Sequence, residues 1–546
     1  MGRIATLAGT RGSGWAGALS IDAGRIRATG DARTILRTAG PRTVVTRLDP
    51  ALVLLPGLCD AHLHLADAAL AASRLDLSGC RGREATLHAI AAAHAARLAA
   101  GDADGWLLGA GWSLDRLGGR PSAADLDAVA PGRPVALWSH DHHARWVSGS
   151  ALGRAGIGAD TADPPGGVIG RAADGTPDGF LLEDAAVLVD PAIPAPDDAT
   201  LRAAIVAYAR TLARLGVTAV HDPGDLAADP DLVRGAAVYR RMAEEDALPL
   251  RVAGCIREDQ LAAGIAAGFR TGRPFGSRYH DGWLKLFADG ALGSRSAALL
   301  APYASGDPAG PAAGGPRGML LRTPAALAAV AGHAAGAGIA VTIHAIGDAA
   351  VRHALDVLAA LPRVGGASHR IEHAQLVAVS DRTRFGRDGI TASMQPGHLI
   401  TDAGPARHAW GARLARAFPL RGIAAAGGLL AFGTDAPVEP ADPWPGIAIA
   451  VSRTAGTADA PDRVPGVGQR IGRADALRAA TRGGPASLGL PYDGMLVAGA
   501  PADLIAVPAD ALTGDAGPDG PLARCRPVAT LIAGAAAAGC ADLPDA

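Results

Sequence analysis

The stretch Trp283-Leu284-Lys285-Leu286-Phe287-Ala288-Asp289-Gly290 contains the only lysine of the chain, inside a short apolar run that ends in polar residues. Lys and Arg together number 51, and every one of them except Lys285 is arginine. A chain so rich in Ala, Gly, Arg and Pro looks like the product of GC-rich coding, which exchanges Lys for Arg wherever the swap is harmless. A retained lysine then points to chemistry that Arg cannot do, because Arg keeps its proton at ordinary pH while a buried Lys can lose it. The free amine can form a Schiff base, act as a general base, or add carbon dioxide to give a carbamate. A lysine on a strand can equally be a snorkelling or leftover side chain, so its neighbours must decide.

Working outward, the same kind of run recurs. Leu52–Leu58, Val217–His221, Leu250–Ile256, Leu284–Ala288, Ala340–His344, His369–His373, Thr391–Gln395 and Leu429–Gly433 are short and apolar, and most are separated by Ala-rich helical stretches. That alternation predicts an α/β fold with parallel strands. Eight such strands imply a TIM-like (β/α)8 barrel over residues 56–489, with chemistry at the C-terminal strand ends. Residues 66–199 are too long for a loop and include Pro134-Val135-Ala136-Leu137-Trp138, so they read as a subdomain inserted after strand 1, over the barrel mouth. The ends are β-rich: Ala18–Asp22, Arg25–Ala28 and Thr43-Val44-Val45 at one, Asp503–Val507 and Pro527–Gly534 at the other. Residues 1–55 and 490–546 are therefore expected to build one small β-sandwich domain. The Ala535–Gly539 run carries no functional signal.

Composition excludes several classes. At 546 residues the chain exceeds one ordinary core. A net charge of −2 leaves no electrostatic footprint for nucleic acid or an anionic membrane. No apolar run reaches the roughly 18 residues of a membrane span, and the N-terminus lacks a signal-peptide core. The five cysteines are scattered without a C-x-x-C pair, as in a reducing compartment. A cytoplasmic enzyme follows as the expectation, with oligomeric state open and a homodimer among the options.

The strand ends carry the chemistry. His62 and His64, in Asp60-Ala61-His62-Leu63-His64, share one face of an extended segment because side chains alternate. Two imidazoles so placed can anchor a metal, although solvated histidines give the same pattern. His344 and His373 could each be a hydrogen-bonded core histidine, and Asp435 could cap a helix. Taken together, two His after strand 1, Lys285 on 4, His344 on 5, His373 on 6 and Asp435 on 8 converge on one barrel mouth and predict a metal site.

These segments resemble the amidohydrolase superfamily of metal-dependent hydrolases, in its YtcJ-like branch that includes N-substituted formamide deformylase. The matching stretches are Pro56–His64, Gly216–Asp222, Lys285–Arg295, Met394-Gln395-Pro396 and Gly433–Val438. Pro164–Gly167 and Gly179–Glu183 match in the insertion. Where the branch tends to read Asp-Gly-His, this chain has Asp141-His142-His143. The resemblance implies two divalent ions, zinc first among the candidates: His62, His64 and Asp435 on one, His344 and His373 on the other, and a carbamate made from carbon dioxide on Lys285 between them. It implies a metal-bound hydroxide as nucleophile, with the pKa of water lowered from about 16 to about 7, and Asp435 as the catalytic base and then acid. The substrate would be a small molecule with a non-peptide C–N bond, a linear N-acyl or N-formyl amide. Glu183 could be an extra ligand or a substrate contact, His143 and His140 could reach substrate from the insertion, His221 and Asp222 end strand 2 and would face the mouth, and Asp289, Arg295, Gln395 and His398 are candidates for the substrate pocket or for supporting contacts.

Three rivals remain at this point. A mononuclear deaminase-like amidohydrolase would not need Lys285. A pyridoxal-type Schiff base on Lys285 lacks a recognisable phosphate loop. A catalytically silent metal-binding scaffold would be expected to have lost a ligand, and none is missing.

Overall fold

The computed structural model describes residues 3–9, 14–112, 117–139, 144–164, 167–183, 185–224, 234–293, 295–304, 315–491 and 493–539. Among the described residues eight strands form the path of the central sheet, with a short antiparallel strand, Pro274–Phe275, beside the fourth: β1 (Leu58–Asp60), β2 (Val217–Asp222), β3 (Arg251–Arg257), β4 (Tyr279–Phe287), β5 (Val341–Ala345), β6 (Arg370–His373), β7 (Thr391–Met394) and β8 (Leu430–Phe432). They run in sequence order and every neighbouring pair is parallel. The register sets Lys285 of β4 against Thr342, Phe287 against His344, and Ala345 against His373. Both faces of such strands are covered, which is why they read as nearly continuous apolar runs. Many of the helices between them are Ala-rich, and the one after β4, Pro324–Gly336, starts on a side-chain cap: Thr323 accepts from Ala326 N and is followed by Pro324.

The circle is closed by a bond from Ala61 N to Phe432 O at 2.8 Å. Beyond it the two chain segments zip together through Asp435 N to His62 O, 2.7 Å, and His64 N to Ala436 O, 2.9 Å. Gly433 permits this approach, since a Cβ there would lie 2.5 Å from His62 N. Among the described residues no helix is long and apolar enough to cross a membrane.

The first apolar run does not form one strand. Leu52–Pro56 pairs with Leu504–Pro508 and with Ile4 in a different, six-stranded sheet, and only Leu58–Asp60 enters the barrel. Gly57 is the crossing point. Its N–H donates to Asp503 O while Leu58 N donates to Gly216 O, and a Cβ at Gly57 would collide with the Thr218 side chain at 2.2 Å. The six-stranded sheet contains strands from both chain ends, including Ala529–Ile532 and Ala535–Ala538. A separate hairpin of Ala18–Asp22 and Arg25–Gly30 places Ile26 in a shared core with Ile4 and Leu504. Thr43-Val44-Val45, expected as a strand, has no regular structure, and Val44 is exposed rather than packed on a core.

Residues Ala69–Ile205 form a compact unit of their own. Its six strands, with Val135–Ser139 and Ala144–Val147 near the centre, pack on the helices Arg83–Ala99 and Ala123–Val129. Trp112 and Trp146 meet edge to face in its core, 6.1 Å between ring centroids.

Candidate metal centre

His62 and His64 follow β1 on one face, as alternation requires, and their Nε2 atoms stand 3.3 and 3.5 Å from Asp435 Oδ1. The other carboxylate oxygen, Oδ2, lies 3.2 Å from His398 Nε2 and 3.9 Å from His373 Nδ1. His344 sits beside His373, 4.5 Å between ring centroids, with Nε2 at 3.1 Å from Gly290 O. His62, His64, His373, His398 and Asp435 are all buried. His373 and Asp435 adopt φ of 71° and 66°. Non-glycine residues held in that left-handed region cost about 1–3 kcal/mol each and cluster at functional sites. Here the strain is held by the closure bond Asp435 N to His62 O and by Ala374 N to Ala345 O at 3.0 Å.

A polar layer missed in the sequence lies beneath. Arg370 and Glu372 alternate inward on β6. Glu372 Oε2 is 2.5 Å from His62 Nδ1, while Oε1 accepts from Arg370 Nε at 2.9 Å and from the Thr342 hydroxyl. Arg370 also donates to Ala61 O and Ser393 Oγ, both at 2.6 Å, reaches His221 Nδ1 at 2.8 Å, and stacks on Trp283. A carboxylate on the far nitrogen of a histidine fixes its tautomer and its ring plane. Glu372 does this for His62, and Gly224 O, 2.6 Å from His64 Nδ1, does it for His64. Asp60 sets the backbone of the same segment, accepting from His62 N (3.2 Å), Thr434 N (3.0 Å) and Thr434 Oγ1 (2.6 Å).

The electrostatics follow from burial and pairing. Burial brings Lys285 down to about 8, against the opposing pull of Glu372 and Asp435. Burial, with Lys285 adding to it, brings His344 down to about 3. Burial also works to raise Glu372 and Asp435, but Arg370 and His62 hold the first, and His62 and His398 the second, well below the usual carboxylate range. His398 is pushed up to about 10: burial opposes this, and its bonds to Asp435 and Glu439 outweigh it.

The residues fit a divalent cation. His62, His64 and Asp435 bring three ligand atoms within 4.8 Å of one another, and His373, His398 and Asp435 do the same. His373 Nδ1 is buried with no hydrogen-bond partner and faces the Asp435 carboxylate. Buried imidazole nitrogens are normally paired, so an unpaired one beside a carboxylate is what a missing cation would satisfy.

Residues 52–535 match the amidohydrolase family Amidohydro_3. The chain belongs to this family. It is 31% identical over 440 residues to the Bacillus subtilis (strain 168) amidohydrolase YtcJ, spanning 80% of each chain. It is 33% identical over 177 residues to the N-substituted formamide deformylase of Arthrobacter pascens, 32% of each chain. An uncharacterized metal-dependent hydrolase from Pyrococcus horikoshii OT3 superposes with a TM-score of 0.72 at 25% identity, covering 91% of this chain and 94% of that one.

Within this amidohydrolase fold the remaining candidates separate. Lys285 is buried, its Nζ 5.0 Å from the Phe287 ring centroid, and its charge acts on Glu372, Asp435, His62, His344 and His373. Asp289 organises the loops, accepting from Ile346 N (3.0 Å), Gly347 N (2.9 Å) and Ala298 N (2.8 Å), and stands 3.7 Å from His344 Nε2. Arg295 donates to Leu292 O at 2.7 Å, and Gln395 is buried with Oε1 unpaired. His221 lies against Arg370 and Trp283, and Asp222 accepts from Leu65 N, Gly224 N and the Tyr239 hydroxyl. These bonds hold His221 and Asp222 to the barrel wall. His140, Asp141, His142, His143 and the side chain of Glu183 lie outside the described residues. A mostly apolar cavity of about 290 Å³, lined in part by Phe432, Ile447, Asp60 and Glu439, adjoins the His398 loop.

Proposed function

We propose that the chain hydrolyses a linear, non-peptide C–N bond in an N-formyl or N-acyl amine, at a centre of two divalent ions, zinc first among the candidates, with Lys285 carbamylated between them. The observation that carries this reading is the convergence of His62, His64, His373 and His398 on the Asp435 carboxylate, within electrostatic reach of the buried Lys285. The likeness to a formamide deformylase supports the substrate class.

His62, His64 and Asp435 would hold one ion, and His344 and His373 the second. When bound, such ions lower the pKa of water to about 7 and polarise a carbonyl oxygen. Lys285 as a free amine adds to carbon dioxide through Nζ and releases a proton, turning an ammonium that would repel two cations into a carboxylate-like anion. Its pKa of about 8 leaves a share of the amine free at neutral pH. Asp435 accepts the proton of the attacking water on its carboxylate and returns it to the departing nitrogen, base first and acid afterwards. Glu372 keeps the His62 ring in plane throughout, and burial of the group excludes bulk water.

The test is a screen of the zinc-loaded protein against N-formyl, N-acetyl and longer N-acyl amines, read by amine release. Formate or carboxylate should appear with the amine in equal amounts. Ammonia release from amino-substituted rings, with no amide turnover, would move the reading to a deaminase; bound metal with neither reaction would leave a silent scaffold.

A further inference from the structure

The geometry points to His398 as a further ligand of the second cation, joining His373 and Asp435 at the site given above to His344 and His373, and to Glu439 as the residue that orients it. The inference rests on the metal-dependent reading above and deepens it, since the resemblance assigns His398 no ligand role.

Three observations carry it. The Nε2 of His398 and the Nδ1 of His373 approach the same oxygen, Asp435 Oδ2, at 3.2 and 3.9 Å, while His62 and His64 approach the other. One carboxylate therefore presents two faces, each with two imidazoles, and each set of three brings its ligand atoms within 4.8 Å. Second, His373 Nδ1 is buried without a partner, on the side that this set shares. Third, the nitrogens of His398 are divided as those of His62 are. His62 gives Nδ1 to Glu372 and turns Nε2 to Asp435. His398 gives Nδ1 to Glu439 Oε1 at 3.3 Å and turns Nε2 to Asp435. The Thr401 hydroxyl donates to the same Glu439 oxygen and holds it in place. Histidines that ligate metals nearly always carry such an oxygen partner on the other nitrogen. His398 opens the short helix His398–Thr401 just past β7, on a side of the mouth from which strand-end reasoning expects no ligand.

The test is a zinc titration of metal-free protein against a chromophoric chelator, with bound zinc counted by mass spectrometry. Wild type, His398→Gln and Glu439→Gln are compared, together with the visible spectra of their cobalt-loaded forms. Two equivalents are expected for wild type. His398→Gln should lose the weaker one and alter the cobalt bands, and Glu439→Gln should weaken it by about 10- to 100-fold, as loss of an outer partner does. The equivalent held by His62 and His64 should keep its affinity in both. Glu439→Gln keeps an amide oxygen for the imidazole N–H, so it decides the question if His398→Gln does not fold. Zinc affinities and cobalt spectra unchanged in both variants would overturn the assignment while leaving the metal-dependent reading intact. A wild type that binds no zinc would overturn both.

Discussion

Two layers of the barrel interior treat their polar groups differently. In the lower layer Arg370, Glu372, Thr342 and Ser393 satisfy one another, with Ala61 O and His221 taking up the rest of the guanidinium. In the rim layer His373 Nδ1 and Gln395 Oε1 are buried without partners, and His62, His64, His373 and His398 stand around the Asp435 carboxylate. Charges already paired and hydrogen-bonded hold the scaffold, whereas buried groups left open await a ligand. The lower layer reaches the rim through Glu372 on His62 Nδ1 and through Arg370 on the carbonyl of Ala61.

That contrast can be broken by substitution. The largest effect is expected for Asp435→Asn in the rim: amine release should fall by about 10²- to 10⁴-fold, as for loss of a general acid–base group. Arg370→Met in the lower layer should act through stability, costing about 3–5 kcal/mol in chemical denaturation by leaving Glu372 buried without its cation. Thr342→Val removes one donor to that carboxylate and should cost about 1.5–3 kcal/mol, the range for a hydrogen bond to a charged group. The smallest effect belongs to Gln395→Leu, which replaces a buried amide whose oxygen is already unpaired and should change metal-free stability by less than about 1 kcal/mol. If Arg370→Met and Gln395→Leu cost the same, the division into a saturated and an open layer is wrong.

Much of the rim was legible in the sequence because barrel chemistry collects where strands end. The alternation in His62-x-His64, the lone Lys285 and the polar ends of β5, β6 and β8 needed only the strand period to be found. Arg370 and Glu372 are hidden because inward strand positions are expected to be apolar, and in Arg370-Ile371-Glu372-His373 the histidine draws the reading. The Arg-x-Glu alternation is the available signal. His398 is legible only as a candidate substrate or supporting contact, since it lies past its strand on a helical turn whose direction no periodicity reports. The split of Leu52–Leu58 was hidden for a different reason: a continuous apolar run looks the same whether one sheet or two receive it, and only the contact of Gly57 with Thr218 marks the change.

Gly57 also sets an order of events. Leu54 and Ala506 face each other across the sheet that feeds the first barrel strand, and Gly57 itself is tied to Asp503. On the ribosome, the segment leading to His62 and His64 must wait for a partner far downstream in the chain. Pairings between such distant residues are slow to form because the intervening chain must close a large loop first. Metal loading should thus follow synthesis of Leu504–Pro508, and a chain cut short before Leu504 should leave its histidine pair without the sheet that anchors it.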